Sequence, residues 1–203
     1  TYKAGDTLSF TVNFSENVSV TGSPHLVLDI GGTSQHASYA SGSGTQALVF
    51  TYAVGAGLAD TDGLAVTALE NNNGTLRDAA GNNATLTLNN VSNLASVKVD
   101  SQAPTFVSAA TSSDGSKIIL TYSETLQAAT AAPGAFAVTV GDTVRNVTGV
   151  AVNGRSVELT LASAVDYSQA VTVAYTAPEA NAGSSNNAVQ DTIGNDAAAF
   201  ASH

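Results

Sequence analysis

Apolar and polar residues alternate with a period of two throughout this chain of 203 residues. Such alternation is typical of strands that bury one face, and helical periodicity is not sustained in any part of the sequence. The sequence therefore predicts an all-β chain. The clearest alternating segments are 8–14, 48–54, 118–122, 136–140, 157–161 and 171–175.

Turn-forming segments separate these strands. They are rich in Gly, Asn, Asp and Ser, because Gly tolerates positive φ and the other three bond to their own backbone. Their spacing is typical of a sandwich of short strands. We therefore expect two tandem immunoglobulin-like β-sandwich domains, at residues 1–100 and 101–203. The connector falls at Ser101–Ala103, because Pro104 fixes its own φ and pushes the residue before it toward extended conformations.

The two halves share an internal repeat. The segment FTVNFSENV, which begins at Phe10, aligns with IILTYSETL at 118–126, and DAAGNNA at 78–84 aligns with DTIGNDA at 191–197. Each half therefore carries one Glu and one Asp at matching positions. The strand-like segment 104–112 has no counterpart ahead of the first copy, so we expect the first domain to lack its opening strand and the chain to be an excerpt from a longer array.

Charge and composition narrow the possible partners. Sixteen Asp and Glu face six Lys and Arg, which gives a formal net charge of −10. Such a chain repels phosphate backbones and attracts divalent cations, so nucleic acid is disfavoured. No apolar stretch is long enough to span a bilayer, and we expect no direct membrane insertion. The chain has no Cys and three His, so a thiolate or transition-metal site is also disfavoured.

Strand direction predicts where the carboxylates gather. In the second domain we expect strands at 104–112, 117–123, 135–140, 143–152, 156–161 and 170–176. If the strands of each sandwich alternate in direction, Glu124 and Asp191 lie at the pole of the second domain nearest the linker, where Asp100 ends the first domain. The same count brings Asp60 and Asp62, in the loop ADTDG, toward that seam. Carboxylates about 4 Å apart repel by roughly 4 kcal/mol at an effective dielectric near 20. We therefore expect Ca²⁺, which accepts six to eight oxygen ligands, to bind there.

A second carboxylate pair is expected in the first domain, from Glu16 and Asp78. It lies at the far pole, where no linker Asp accompanies it, so its metal site should be weaker or empty. A structural alternative stands beside both sites, because DAAGN and DTIGN are also good turn sequences in which Asp caps the backbone. The lone D-T-D-G segment likewise fits a hairpin turn as well as part of a calcium loop.

Longer segments resemble known repeat families. AGDTLSFTVNFSENVSVTG, YASGSGTQALVFTYAV and GTLRDAAGNNATL resemble the bacterial immunoglobulin-like repeats of giant exported adhesins of the RTX type. APTFVSAATSSDGSKIILTYSETL, VELTLASAV and VQDTIGNDAAAF resemble the SwmB-type repeat of similar proteins.

These resemblances imply a place outside the cell, at the bacterial surface, and a part in cell adhesion and biofilm formation. They imply calcium-stiffened extender modules whose partners are the neighbouring repeats of the same chain. The alternative is a calcium-dependent module that binds a surface glycan or a protein ligand.

Catalytic motifs are not evident in the sequence. It has no G-x-S-x-G segment and no Ser-His-Asp spacing that stands out, and His25 and His36 flank a glycine turn, as surface residues often do. Two acids flanking a cleft could cleave glycosides, but the chain has no Trp and nothing marks a platform for a sugar. We therefore predict that the chain is not an enzyme.

Overall fold

A computed structural model describes residues 1–166, 168–178 and 187–201 of the chain. The chain divides into two compact units, Thr1–Gln102 and Ala103–His203. The described residues form antiparallel sheets, and their one helical element is the short 3-10 turn Pro133–Ala135. The all-β class predicted from the alternation is confirmed, and the sheets are consistent with β-sandwich domains. Among the described residues, no helix is long and apolar enough to cross a membrane.

The first unit is described at every residue from 1 to 102. Its strands are β1 (Thr7–Thr21), β2 (His25–Ile30), β3 (Thr33–Ser41), β4 (Thr45–Ala53), β5 (Ala59–Asp60), β6 (Ala65–Glu70), β7 (Thr75–Arg77) and β8 (Val99–Asp100). Six of them form one antiparallel sheet in the order β6-β2-β3-β4-β1-β7, and the short β5 pairs with β8. The inward side chains of β2 and β4, such as Leu28, Leu48 and Phe50, are fully buried.

The long strand β1 changes partner along its length. Thr7–Asn13 pairs with β4, and Ser19–Thr21 pairs with β7, with an irregularity between Asn13 and Val18. This break places Glu16 outside the regular ladder. Within residues 1–102, the edge of Thr7–Asn13 that faces away from β4 pairs with no strand.

The second unit forms two antiparallel sheets in its described part. The strands are β9 (Phe106–Thr111), β10 (Lys117–Tyr122), β11 (Phe136–Val140), β12 (Thr143–Arg145), β13 (Val147–Asn153), β14 (Ser156–Leu161) and β15 (Val171–Tyr175). One sheet has the order β13-β14-β10-β9 and the other the order β12-β11-β15. Ile118, Leu120 and Tyr122, on the inward face of β10, are fully buried.

One predicted strand, at 143–152, is split in the structure. β12 pairs with β11 in the three-stranded sheet, whereas β13 pairs with β14 in the four-stranded sheet. The chain therefore passes from one sheet to the other at Asn146, whose carbonyl oxygen accepts a hydrogen bond from the Ala162 amide at 2.9 Å.

Matching strands of the two units follow the repeat in the sequence. Phe10 of β1 lies opposite Phe50 of β4, and the aligned Ile118 of β10 lies opposite Leu159 of β14. In the second unit β9 covers the other edge of β10. Ahead of β1, the first unit holds only an isolated bridge between Tyr2 and Val99. Within residues 1–102, no strand therefore takes the place that β9 has in the second unit.

Candidate functional site

The carboxylates of Glu124 and Asp191 meet in the second unit. Leu126 and Asp191 form an isolated antiparallel bridge, and the Gln127 amide donates to the carbonyl oxygen of Gln190 at 2.9 Å. Glu124 lies two residues before Leu126, so it is a diagonal neighbour of Asp191 on the same face of this short ladder. A carboxylate oxygen of Glu124 and one of Asp191 accordingly lie within 4.8 Å of each other.

The loop after Asp191 fixes the orientation of its carboxylate. Asp191 is 1% exposed. Its Oδ1 accepts hydrogen bonds from the amides of Ile193 (2.8 Å), Gly194 (2.6 Å) and Asn195 (2.9 Å). Its Oδ2 accepts one from Asn195 Nδ2 at 2.7 Å. These bonds offset the cost of burying a carboxylate, and they leave Oδ2 as the oxygen through which Asp191 would bind a cation.

Asn195 was not among the predicted site residues. A sequence signal for it exists, because D-x-x-G-N occurs in both halves of the chain, at 78–82 and at 191–195. The amide side chain holds one carboxylate oxygen while the loop amides hold the other. Asn195 therefore positions Asp191.

Electrostatic repulsion is the main cost of the Glu124–Asp191 pair. Two ionised carboxylates at the upper limit of this separation, 4.8 Å, repel by roughly 3 kcal/mol at an effective dielectric near 20. Arg155 donates from Nε to the Tyr122 carbonyl oxygen at 3.3 Å and from Nη2 to the Ser123 carbonyl oxygen, next to Glu124 in the chain. One positive charge therefore lies nearby, and a divalent cation would add two.

The first unit repeats the loop around Asp78. Its Oδ1 accepts from the Asn82 amide at 2.8 Å, and its Oδ2 accepts from Asn82 Nδ2 at 2.7 Å. The side-chain hydrogen bond from Asn82, followed by the backbone one, lowers the pKa of Asp78. Asn82 follows Asp78 by four residues, as Asn195 follows Asp191, and it makes the same two hydrogen bonds. The two units therefore contain the same Asp–Asn loop.

Glu16 and Asp78 face a more open environment than their counterparts. Ser19 pairs with Arg77, and continuing that register sets Val18 opposite Asp78, with Glu16 two residues away. Glu16 is exposed and Asp78 is half-buried, and both line one groove. Among the described residues they belong to no group of three or more potential metal ligands.

The other predicted ligands, Asp60, Asp62 and Asp100, belong to the first unit. Asp100 is half-buried in β8, and its Oδ1 accepts from the Gln102 amide at 3.3 Å. Asp60 is 3% exposed and accepts from the amides of Gly31 (3.0 Å) and Gly63 (2.6 Å), one on each oxygen. Asp62 is exposed. Asp60 thus closes two turns, which supports the hairpin-turn alternative for the segment D-T-D-G.

Comparison with known proteins gives a match in the second half of the chain. Residues 99–180 match the SWM repeat, a family described as "Putative flagellar system-associated repeat". The matched segment includes Asp100 and Glu124 and ends before Asp191. Among curated proteins, none matches this chain. We therefore assign residues 99–180 to a SwmB-type repeat.

Proposed function

We propose that this chain is a pair of structural extender modules of a large adhesin at the bacterial cell surface, stiffened by Ca²⁺. The metal would bind Glu124 and Asp191 together with Asp100, and the partners would be neighbouring repeats of the same chain. The observation that carries the proposal is the Glu124–Asp191 pair, two carboxylates within 4.8 Å of each other, one of them buried.

The donor set fits calcium. Ca²⁺ is a hard cation that takes six to eight oxygen ligands from carboxylates, carbonyls and water in flexible geometry. Glu124 and Asp191 supply carboxylate oxygens, and neither Cys nor His takes part in the pair. A transition metal would favour nitrogen or sulfur ligands. Extracellular calcium modules bind with Kd of about 10⁻⁴ to 10⁻³ M, the range we expect here.

Chain connectivity supports a role for Asp100. The Thr105 amide donates to Ser123 Oγ at 2.9 Å, directly before Glu124 in the chain. An extended chain spans at most about 3.6 Å per residue, so the Cα atoms of Asp100 and Thr105 are at most about 18 Å apart in any conformation. The family match also begins at Val99 and thus takes Asp100 into the same repeat as Glu124.

Stiffness is the functional property in this proposal. An array that projects an adhesive tip away from a cell must resist coiling, and a cation shared across a linker reduces the conformations that the linker samples. Binding to the folded chain alone also raises its stability, by about 2.7 kcal/mol per site when free calcium exceeds the Kd a hundredfold.

Calcium titration of matched variants tests the proposal. Isothermal titration calorimetry of the wild-type chain should reveal one stronger site, which Glu124→Gln removes and Glu16→Gln leaves intact. Asp100→Asn should weaken the same site about tenfold. Absence of calcium binding up to about 10 mM, roughly ten times the upper end of the expected Kd range, would overturn the metal role. Glycan-array binding that disappears with chelator would instead favour a ligand-binding module.

A further inference from the structure

The segment Thr7–Asn13 of β1 has fewer strand partners than β10, the strand to which it aligns in the second unit. In the second unit, β10 pairs with β14 on one edge and with β9 on the other. In the first unit, Thr7–Asn13 of β1 pairs with β4 on one edge, and within residues 1–102 no strand covers the other. The open edge of β1 is therefore the place that β9 occupies in the second unit.

The backbone groups at this open edge can be identified from the second unit. The Ser112 amide donates to the carbonyl oxygen of Lys117 at 2.9 Å, so the polar groups of Lys117 face the β9 side. Because backbone groups alternate between the two edges of a strand, those of Ile119 and Thr121 face the same side. The aligned residues of the first unit are Ser9, Thr11 and Asn13.

Burial of the aligned side chains shows what the missing strand would cover. Ile118, Leu120 and Tyr122 are each at most 1% exposed. Their counterparts on β1 are only half-buried, although they are equally apolar. These counterparts are Phe10, Val12 and Phe14.

An aromatic residue of β9 completes the cover in the second unit. The ring of Phe106 meets that of Tyr122 edge-on, with centroids 6.2 Å apart, and stacks on Phe200 at 4.2 Å. Phe106 lies opposite Tyr122 in the ladder. A strand at the open edge of β1 would accordingly bring its aromatic residue opposite Phe14.

A groove runs along the open edge. It has a volume of about 860 Å³ and is lined by every residue from Ser9 to Glu16 on one side and by the segment 82–92 on the other. Leu86 and Leu88 of that segment are half-buried, and Thr85 and Thr87 between them are exposed. Eight residues of extended chain span about 27 Å, enough for a strand the length of β9.

We propose that the first unit binds an extended peptide strand in this groove, antiparallel to β1. The occupant has the pattern of Phe106–Thr111, an aromatic residue followed by small and hydroxyl-bearing residues. Main-chain hydrogen bonds to Ser9, Thr11 and Asn13 supply affinity, and the aromatic residue packed over Phe14 supplies selectivity, as in other cases of β-strand addition.

Amide hydrogen exchange of the whole chain tests this proposal directly. The probe is a synthetic peptide of residues 104–112, PTFVSAATS, titrated into the isotope-labelled chain in excess chelator, so that calcium plays no part. Binding should saturate, and exchange at the Ser9, Thr11 and Asn13 amides should slow at least tenfold. The Phe10 and Val12 amides, which face β4, should keep their rates.

A peptide methylated on the amide nitrogen of the residue that corresponds to Ala110 is the matched control. In the second unit Ala110 lies opposite Ile119, so this amide would pair with Thr11. Its loss should weaken binding about tenfold, as expected for one missing hydrogen bond. In the chain itself, Thr11→Pro should abolish binding and preserve the β4 ladder, because proline is tolerated where its nitrogen faces an open edge.

Three results would overturn the proposal. The first is a titration in which peptide binding does not saturate, and the second is equal affinity for the methylated and the unmethylated peptide. The third is slower exchange of the same three amides in the absence of peptide, to an extent that grows with the concentration of the chain. The last result would mean that a second copy of the chain occupies the edge.

Discussion

Asp78 and Asp191 each accept a hydrogen bond from the side-chain amide of the fourth residue after them, at 2.7 Å in both units. The backbone amide of that residue bonds the other carboxylate oxygen, at 2.8 and 2.9 Å. The two loops differ in burial, because Asp191 is 1% exposed whereas Asp78 is half-buried. The same interactions should therefore contribute differently to stability.

Alanine at these two positions should separate burial from hydrogen bonding. Asp191→Ala leaves the amides of Ile193, Gly194 and Asn195 without their acceptor in a largely buried loop, and we expect it to lower the free energy of unfolding of the second unit by about 3 kcal/mol. Asp78→Ala should cost the first unit less, because water reaches its loop and can replace the lost acceptor. Hydrogen exchange of the whole chain in urea, read from proteolytic peptides of each unit, measures both losses of unfolding free energy. Equal losses would contradict the argument.

The turn before β10 should show an acid-shifted carboxyl group. The Ser112 hydroxyl (2.6 Å), and after it the Ser116 amide (3.0 Å) and hydroxyl, lower the pKa of Asp114 to about 2. This value lies below the ordinary pKa of 3.8. The hydrogen bonds to ionised Asp114 therefore contribute their full stabilisation of the folded state above pH 3.8, and the contribution is lost as the pH falls toward 2. Ser112→Ala should raise the pKa, and Ser113→Ala should leave it unchanged. Carboxyl ¹³C shifts followed against pH measure it.

Two glycines of the first unit test the loop that Asp60 closes. Gly63 has φ of 105°, and a Cβ there would lie 2.4 Å from Ala95 Cα, whereas Gly57 has φ of 83° and open space. Gly63→Ala should lower the free energy of unfolding by about 3 kcal/mol or more, because backbone must move as well as adopt a strained φ. Gly57→Ala should cost about 1 kcal/mol, from φ alone. Urea titration measures the free energy of unfolding of both variants. A loss for Gly63→Ala no larger than the loss for Gly57→Ala would contradict the prediction.

Calcium should change the mechanics of the chain without being needed for its fold. Chelation should lower the melting temperature and broaden the distribution of end-to-end distances, because the proposed site includes Asp100, the last residue of β8 before the connector. Asp100→Ala should behave in calcium as the wild type does in chelator. Small-angle scattering measures the maximum dimension in each state. An unchanged distribution, with Asp100→Ala equal to wild type in calcium, would mean that the acids only cap turns.

Alternation in the sequence predicts most strands, because period-two burial is a local property of one segment. It does not predict burial itself. Phe10 and Ile118 occupy matching positions and are equally apolar, yet Phe10 is half-buried and Ile118 is 1% exposed, because burial depends on what packs around each residue in the folded chain. The division of the predicted strand 143–152 was equally out of reach, because it depends on which sheet each half joins.

The candidate site was predictable in part. Both Glu-Asp pairs follow from the internal repeat, and the count of strand directions places Glu124 and Asp191 at one pole, where the structure has their oxygens within 4.8 Å of each other. The roles of Asn195 and Arg155 were missed, because each acts through a hydrogen bond whose geometry depends on a folded loop. Asp60 was predicted as a ligand from the count of strand directions, whereas its two bonds to glycine amides depend on the folded positions of Gly31 and Gly63.

The edge position of β9 bears on how such repeats can diverge. Phe106 is its one half-buried residue, and the five that follow are exposed. Substitutions from Val107 to Thr111 remove little packing, so mutations there should accumulate almost neutrally, provided that the backbone stays extended. The loop at Asp191, in which one carboxylate satisfies three amides, leaves no such freedom. Among copies of this repeat, sequence drift should therefore concentrate in the first strand, while the D-x-x-G-N loop stays nearly constant.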